Sequence, residues 1–336
     1  MMRYFFVLLL SLFLLPQLSL FGMEFEEGNL RLILHPHNGS FSLYAIDGER
    51  QEALFYDVDP TTSFLSVMVD NRIYRPGSSS AFSISIDKNA ENPRLVYESS
   101  FLIITKDFHF IIGENQSEAS GISITISVIN RSENGIYIAA RYVLDTNLSD
   151  TTLNVTYDTN RRRRITGETL LTRAGDSDLF WLDINSRGRA LSGSLFTGSA
   201  GDPDRVLFAN WQRLNEAPWN ISYHEGRNFN LMPFSIRDSA IAYYFDPRYL
   251  PSGTSFSYNF LLMQRASDIA YLVYGVSETW EGEIAELSER DRDLLEIRNI
   301  INQIDALTAS GQANEDELSS LELSLAYLMA KYNIRH

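Results

Sequence analysis

Ile122-Ser-Ile-Thr-Ile-Ser-Val-Ile-Asn-Arg-Ser-Glu-Asn-Gly-Ile-Tyr-Ile138 decides the fold class of this chain. Ile122, Ile124, Ile126 and Val128 alternate with Ser123, Thr125 and Ser127, the period of a strand with one buried face. Asn134-Gly135 then supplies a turn before the period resumes at Ile136, Ile138 and Ala140, which predicts a β-hairpin.

The same rhythm extends in both directions. Phe82, Ile84 and Ile86 alternate with Ser83 and Ser85, and further strands are expected at residues 30–34, 40–46, 63–69, 94–97, 101–105, 108–112 and 141–144. In the second half they are expected at residues 179–183, 206–208, 240–246 and 255–263. With no dividing linker in view, residues 23–265 read as one large antiparallel β-sandwich. An outer-membrane barrel is the rival, but the strands are short, irregularly spaced and followed by helical sequence.

Both ends of the chain depart from this pattern. Residues 1–22 read as a cleavable signal peptide, with Arg3, an apolar run from Tyr4 to Leu15, Pro16 and a small residue at Gly22. That order predicts export, and periplasmic localisation. At the other end, residues 266–336 predict an antiparallel helical hairpin. Leu294, Ile297, Ile301 and Ile304 form one apolar stripe; Leu318, Leu321, Leu325, Leu328 and Tyr332 form another. Ser288 with Asp291 and Asn314 with Glu317 resemble capping boxes, and Gly311 marks the stop between the helices.

The chain has no cysteine, so no disulfide, thiolate nucleophile or lipidated cysteine is available. A formal charge of −15 makes nucleic acid and anionic membranes poor partners. The local exception is Arg161, Arg162, Arg163 and Arg164, a patch suited to an anionic partner.

Little else carries visible chemistry. His35 and His37 make a close pair without an identifiable third ligand, so no metal is expected. Asp57 and Asp59, Asp176 and Asp178, and Asp202 and Asp204 read as turn formers, not calcium loops. No nucleophile elbow, phosphate loop or dinucleotide fingerprint is present, and no cofactor is implied. Trp211, Trp219, Tyr223 and Arg227 stand among amides and guanidiniums, a mixture that suits sugars, whose C–H faces stack on rings while their hydroxyls seek donors and acceptors.

Two segments carry a resemblance: Ile136-Tyr-Ile-Ala-Ala-Arg-Tyr-Val-Leu-Asp-Thr146, and Asp238-Ser-Ala-Ile-Ala-Tyr-Tyr-Phe-Asp246 followed by Leu250-Pro-Ser-Gly253. They resemble strands of the galactose-mutarotase-like β-supersandwich found in bacterial envelope proteins. The resemblance implies a concave sheet that binds carbohydrate or serves as a platform. The histidines and glutamate that work in mutarotases match no position here.

Two functions follow as expectations. One is a non-catalytic periplasmic adaptor whose hairpin, through Leu318, Leu321, Leu325 and Leu328, contacts another envelope protein or a second copy of this chain. The other is a carbohydrate-binding or carbohydrate-active protein using Trp211, Trp219, Tyr223 and Arg227.

Overall fold

The computed structural model describes residues 22–112, 118–146, 148, 157–185, 189–232 and 238–264, together with residues 318, 323, 325, 326 and 331. The chain forms two compact units, Met1–Thr279 and Trp280–His336. Residues 1–21 of the expected signal peptide lie outside the described residues, as does nearly all of the expected hairpin. In the second unit Leu318, Leu323, Leu325, Ala326 and Lys331 are helical; Leu325 is buried and Leu323 exposed. Among the described residues no helix is long and apolar enough to cross a membrane.

The first unit is built from strands. In chain order they are β1 (Met23–Glu27), β2 (Leu30–His35), β3 (Ser40–Asp47), β4 (Arg50–Ala53), β5 (Phe64–Val69), β6 (Arg72–Tyr74), β7 (Ser83–Ile86), β8 (Arg94–Glu98) and β9 (Leu102–Ile112). There follow β10 (Ala119–Asn130), β11 (Ile136–Leu144), β12 (Tyr157–Thr159), β13 (Arg164–Ile165), β14 (Thr169–Thr172), β15 (Phe180–Ile184) and β16 (Ala190–Ser194). The last three are β17 (Arg205–Asn210), β18 (Ser239–Leu250) and β19 (Ser255–Met263), with one short helix, α1 (Trp211–Glu216), after β17.

These strands make three antiparallel sheets. β1 to β4 form a four-stranded meander, β13-β12-β15-β16-β19-β10-β9-β8-β7 a nine-stranded sheet, and β14-β17-β18-β11-β5-β6 a six-stranded one. Each order is open-ended among the described residues, so none closes into a barrel. The fold is mainly β, as expected.

Alternation places the core. Ile122, Ile124, Ile126 and Val128 point inward from β10, and Ile138, Ala140, Tyr142 and Leu144 from β11. Tyr243 and Phe260 stack between the two large sheets at 5.0 Å, and the Trp181 indole N–H donates to the Tyr243 hydroxyl at 2.6 Å. Inward residues of the meander, Leu30, Leu32, Leu34, Phe41 and Leu43, join the same core.

Gly193 leaves room for the buried Trp181 ring, which a Cβ there would overlap. Gly193→Ala is expected to destabilise the protein by about 1–3 kcal/mol, the usual cost of overpacking, in a urea unfolding titration.

The Asn134-Gly135 turn does not close a hairpin. β10 pairs with β9 and β19 in the nine-stranded sheet, whereas β11 pairs with β18 and β5 in the six-stranded one. The reason lies at buried Asn130. Its amide donates to the carbonyls of Asn134 and Leu250, and its Oδ1 accepts from the Ser132 N–H and hydroxyl. That knot turns the chain across the sandwich instead of back along its own sheet. A two-residue hairpin turn occurs at Asp70-Asn71, both at positive φ, between β5 and β6.

The strands expected at 101–105 and 108–112 are one continuous β9. Leu102, Ile104, Lys106 and Phe108 all take inward positions, so the period runs straight through the lysine.

Candidate functional site

The six-stranded sheet has a second apolar face. Phe64, Ala139, Val143, Leu207, Ala209, Ala240, Ala242 and Tyr244 point away from the main core and are covered by Leu214 of α1 and by Trp219. Arg141 emerges on this face, 1% exposed. Its two terminal nitrogens donate to the carbonyls of Trp219 at 2.6 Å and Ala217 at 3.2 Å. Burial holds its pKa below the usual guanidinium value, against the opposing pull of Tyr244.

At the edge of this covered face opens a cleft of about 430 Å³. Its size falls in the range of small-molecule sites. Four separate segments line it: Asn38 to Ser40 from the β2–β3 loop, Asp59 and Thr61 to Leu65, Arg75 with Gly77 and Ser78, and Trp211 with Asn215; Tyr97 completes the wall.

Local chemistry fixes each wall. Asp59 caps a 3₁₀ turn, Pro60–Thr62, its Oδ1 accepting from the Thr61 N–H at 2.9 Å and hydroxyl at 2.6 Å. Asn38 Oδ1 accepts from the Ser40 N–H and hydroxyl, and Gly39 turns the chain at a φ of 68°. Asn210 caps α1 through its Oδ1, which accepts from the Arg213 N–H. That start directs Trp211 and Asn215 to the cleft, one turn apart on the same side of the helix. The Trp211 indole N–H donates to the Thr62 carbonyl at 2.9 Å, which pins the ring against the wall.

Arg75 is the charged group that the turn after β6 delivers. Its guanidinium lies 3.4 Å above the centre of the Phe64 ring and donates to Asn215 Oδ1 at 2.8 Å and the Thr61 carbonyl at 3.0 Å. Desolvation lowers its pKa to about 10, reinforced by the like charge of Arg141 and opposed by Asp59. Asp145, buried just behind Ser63, has its pKa raised to about 7, chiefly by burial. The arrangement offers a ring, a guanidinium, amides and hydroxyls around a space that fits a small polar molecule.

The residues selected from sequence divide. Trp211 lines the cleft; Trp219, Tyr223 and Arg227 do not. Trp219 is 8% exposed, packed in the second core with its ring against Tyr244. Arg227 faces the fully buried Glu168 at 3.9 Å, and Tyr223 is a surface residue. Glu168 instead gathers this loop: it pairs with Arg213 and accepts from the His224 N–H at 3.0 Å.

The arginine patch is exposed but engaged. Arg161 bonds to the Ser177 hydroxyl, Arg163 pairs with Asp176 at 3.0 Å and Arg164 with Asp158 at 3.4 Å; Arg162 holds a left-handed turn position at a φ of 59°. Of the hairpin leucines, Leu318 is half-buried and Leu325 buried, while Leu321 and Leu328 lie outside the described residues. His35 bonds to the Ser42 hydroxyl, and no group of three or more metal-ligating side chains occurs among the described residues.

Sequence reasoning missed Arg75 and Lys106; Asn215 is one of the amides that accompany Trp211 in the sequence. Lys106 is buried beside the cleft wall, its Nζ donating to the Gly39 carbonyl at 3.1 Å and the Tyr142 hydroxyl at 3.0 Å. Its inward place in the alternation of β9 was the available signal.

No family model matches the sequence, and no curated protein matches it. In three dimensions the chain is similar to galactose mutarotase-like proteins. A galactose mutarotase related enzyme from Lactobacillus acidophilus aligns over 73% of this chain and 97% of its own, at 8% identity and a TM-score of 0.45. A galactose mutarotase-like protein from Lactobacillus casei aligns over 72% and 99%, at 7% identity and a TM-score of 0.45. An aldose epimerase homologue from C. elegans aligns over 72% and 98%, at 10% identity and a TM-score of 0.41. These likenesses concern the course of the chain, and no residue role is taken from them.

Proposed function

We propose that this protein binds carbohydrate, and that the Trp211–Arg75 cleft is the binding site. One observation carries the reading: a pinned indole, Trp211, shares a single cleft with Asn38, Asp59, Arg75, Ser78 and Asn215. Sugars need both parts, an apolar face for their C–H groups and a fan of donors and acceptors for their hydroxyls. Either part alone would be ordinary.

The framework suits the task. Asn210, Asp59 and the Glu168–Arg213 pair fix the segments before any ligand arrives, so little ordering cost remains at binding. Nothing among the described residues supports a hairpin interface.

The test is titration of neutral and acidic mono- and disaccharides, followed by tryptophan fluorescence and calorimetry. Trp211→Ala is expected to weaken binding about tenfold, a loss of about 1.4 kcal/mol. Trp219→Phe, in the second core, should leave affinity unchanged. Equal affinities of wild type and Trp211→Ala would remove the cleft from the account.

A further inference from the structure

We infer that the ligand of this cleft carries a carboxylate, so that the protein takes acidic sugars of the uronic acid class in preference to neutral ones, with Arg75 as the specificity residue. This deepens the carbohydrate reading and rests on it.

Arg75 has donors to spare. Among the described residues it forms no ion pair, and its guanidinium donates only to the neutral oxygens of Asn215 and Thr61. A guanidinium has five N–H donors in a planar fork, so donors remain for a ligand. Other arginines of this acidic chain do find carboxylates: Arg94 has Asp107, Arg163 has Asp176 and Arg213 has Glu168. An arginine withheld from such pairing in a cleft is placed to meet an anion from outside.

A second guanidinium lies close by. Phe64 lies between Arg75, at 3.4 Å, and Arg141, at 5.6 Å from the ring centre. Arg141 likewise forms no ion pair among the described residues, and its Nε is buried without a hydrogen-bond partner. Two guanidiniums therefore share one aromatic ring with no carboxylate between them. Like charges held close in a poorly solvated place repel, and an arriving anion relieves that repulsion. The lowered pKa of Arg75 agrees with this picture. Asp59 acts on Arg75 from the exposed rim without forming an ion pair with it, and its Oδ1 accepts from Thr61.

Carboxylate geometry fits the guanidinium fork, which can donate two parallel bonds. The indole of Trp211 would hold the sugar ring while Arg75 holds the acid. The neutral cleft hydroxyls and amides of Ser78, Asn38 and Asn215 remain for the sugar hydroxyls.

The experiment compares galacturonate, galactose and acetate as ligands of the full-length protein at low and high salt. The expected result is that galacturonate binds about tenfold tighter than galactose, as one charge-assisted pair allows. Its affinity should fall with added salt while that of galactose stays constant, and acetate should bind far more weakly than galacturonate. Arg75→Gln should erase the preference, bringing the galacturonate-to-galactose affinity ratio from about tenfold to about one.

Because Arg75 also packs on Phe64, a second variant guards against misfolding. Ser78→Asp adds an opposing charge at an exposed rim position and removes no packing. Because the Ser78 hydroxyl also faces the ligand, both sugars should lose affinity, but galacturonate several-fold more than galactose; an equal loss for the two would count against the charge pairing. Equal binding of galactose and galacturonate by the wild type would overturn the acidic preference and leave the carbohydrate reading standing. Acetate binding as tightly as galacturonate would overturn it too, since the sugar ring would then contribute nothing. Failure of every sugar to bind would remove both.

Discussion

Glu168→Ala is expected to lower the stability of the protein by about 3–5 kcal/mol, the cost of breaking a buried ion pair by removing one partner. Glu168 is fully buried, while the Arg213 side chain beside it is 13% exposed. Its two oxygens serve Arg213 and the His224 N–H, and its backbone N–H donates to the Arg227 carbonyl at 2.6 Å. Arg227, more distant and more exposed, adds little.

Removing the carboxylate strands the Arg213 guanidinium on α1 and frees the loop that follows. Since α1 also carries Trp211 and Asn215, the loss should reach the cleft. Urea unfolding measures the first effect and sugar titration the second. Glu168→Gln keeps the shape and an acceptor, so it should cost less than alanine. A change below about 1 kcal/mol in the alanine variant would show that the buried pair is not what anchors α1.

Lys106→Met is the second large effect, and it depends on pH. Lys106 is 1% exposed, and burial lowers its pKa from 10.5 to about 7. The unfolded chain therefore holds more protons at this site than the folded one between about pH 7 and pH 10.5, and stability from Lys106 rises with pH across that window. Below pH 7 the lysine is charged in both states and imposes its full penalty. A shift of this size corresponds to about 5 kcal/mol at most. The Phe41, Tyr97 and Tyr142 rings, 5.0 to 5.6 Å from Nζ, offset part of it.

Methionine removes the charge and keeps the length. Relative to wild type, Lys106→Met should gain about 2–4 kcal/mol at pH 6 compared with pH 10, where the wild-type amine is neutral. The Gly39 carbonyl keeps its bond from the Tyr97 hydroxyl in the variant. Parallel pH profiles for the two proteins would show that the buried amine stays charged at no cost.

The β architecture was legible because one-sided burial writes itself as alternation. Ile122 to Val128, Phe82 to Ile86 and Ser255–Met263 all read correctly for that reason. The sheet assignment of β11 was not legible. Asn134-Gly135 announces a reversal of the chain, but whether the next strand rejoins its neighbour or crosses the sandwich is settled by buried Asn130, whose partner Leu250 lies 120 residues away.

The cleft was half legible for a similar reason. Trp211 and Trp219 keep the same company of amides and arginines in sequence, yet α1 turns one to the cleft and folds the other beneath it. Arg75 reads locally as an ordinary Arg-Pro-Gly turn. Its importance comes from Asn215, 140 residues on, and Thr61, 14 residues back. Lys106 interrupted an apolar run and so was read as a break, although its place in the alternation put it inside.

The most direct measurement is a crystal structure of the protein with a galacturonate oligomer bound. The account predicts a sugar ring against Trp211 with its carboxylate on Arg75. A ligand seated elsewhere, for instance on the exposed Tyr137–Tyr249 pair whose rings lie 5.4 Å apart, with the cleft left free, would contradict it.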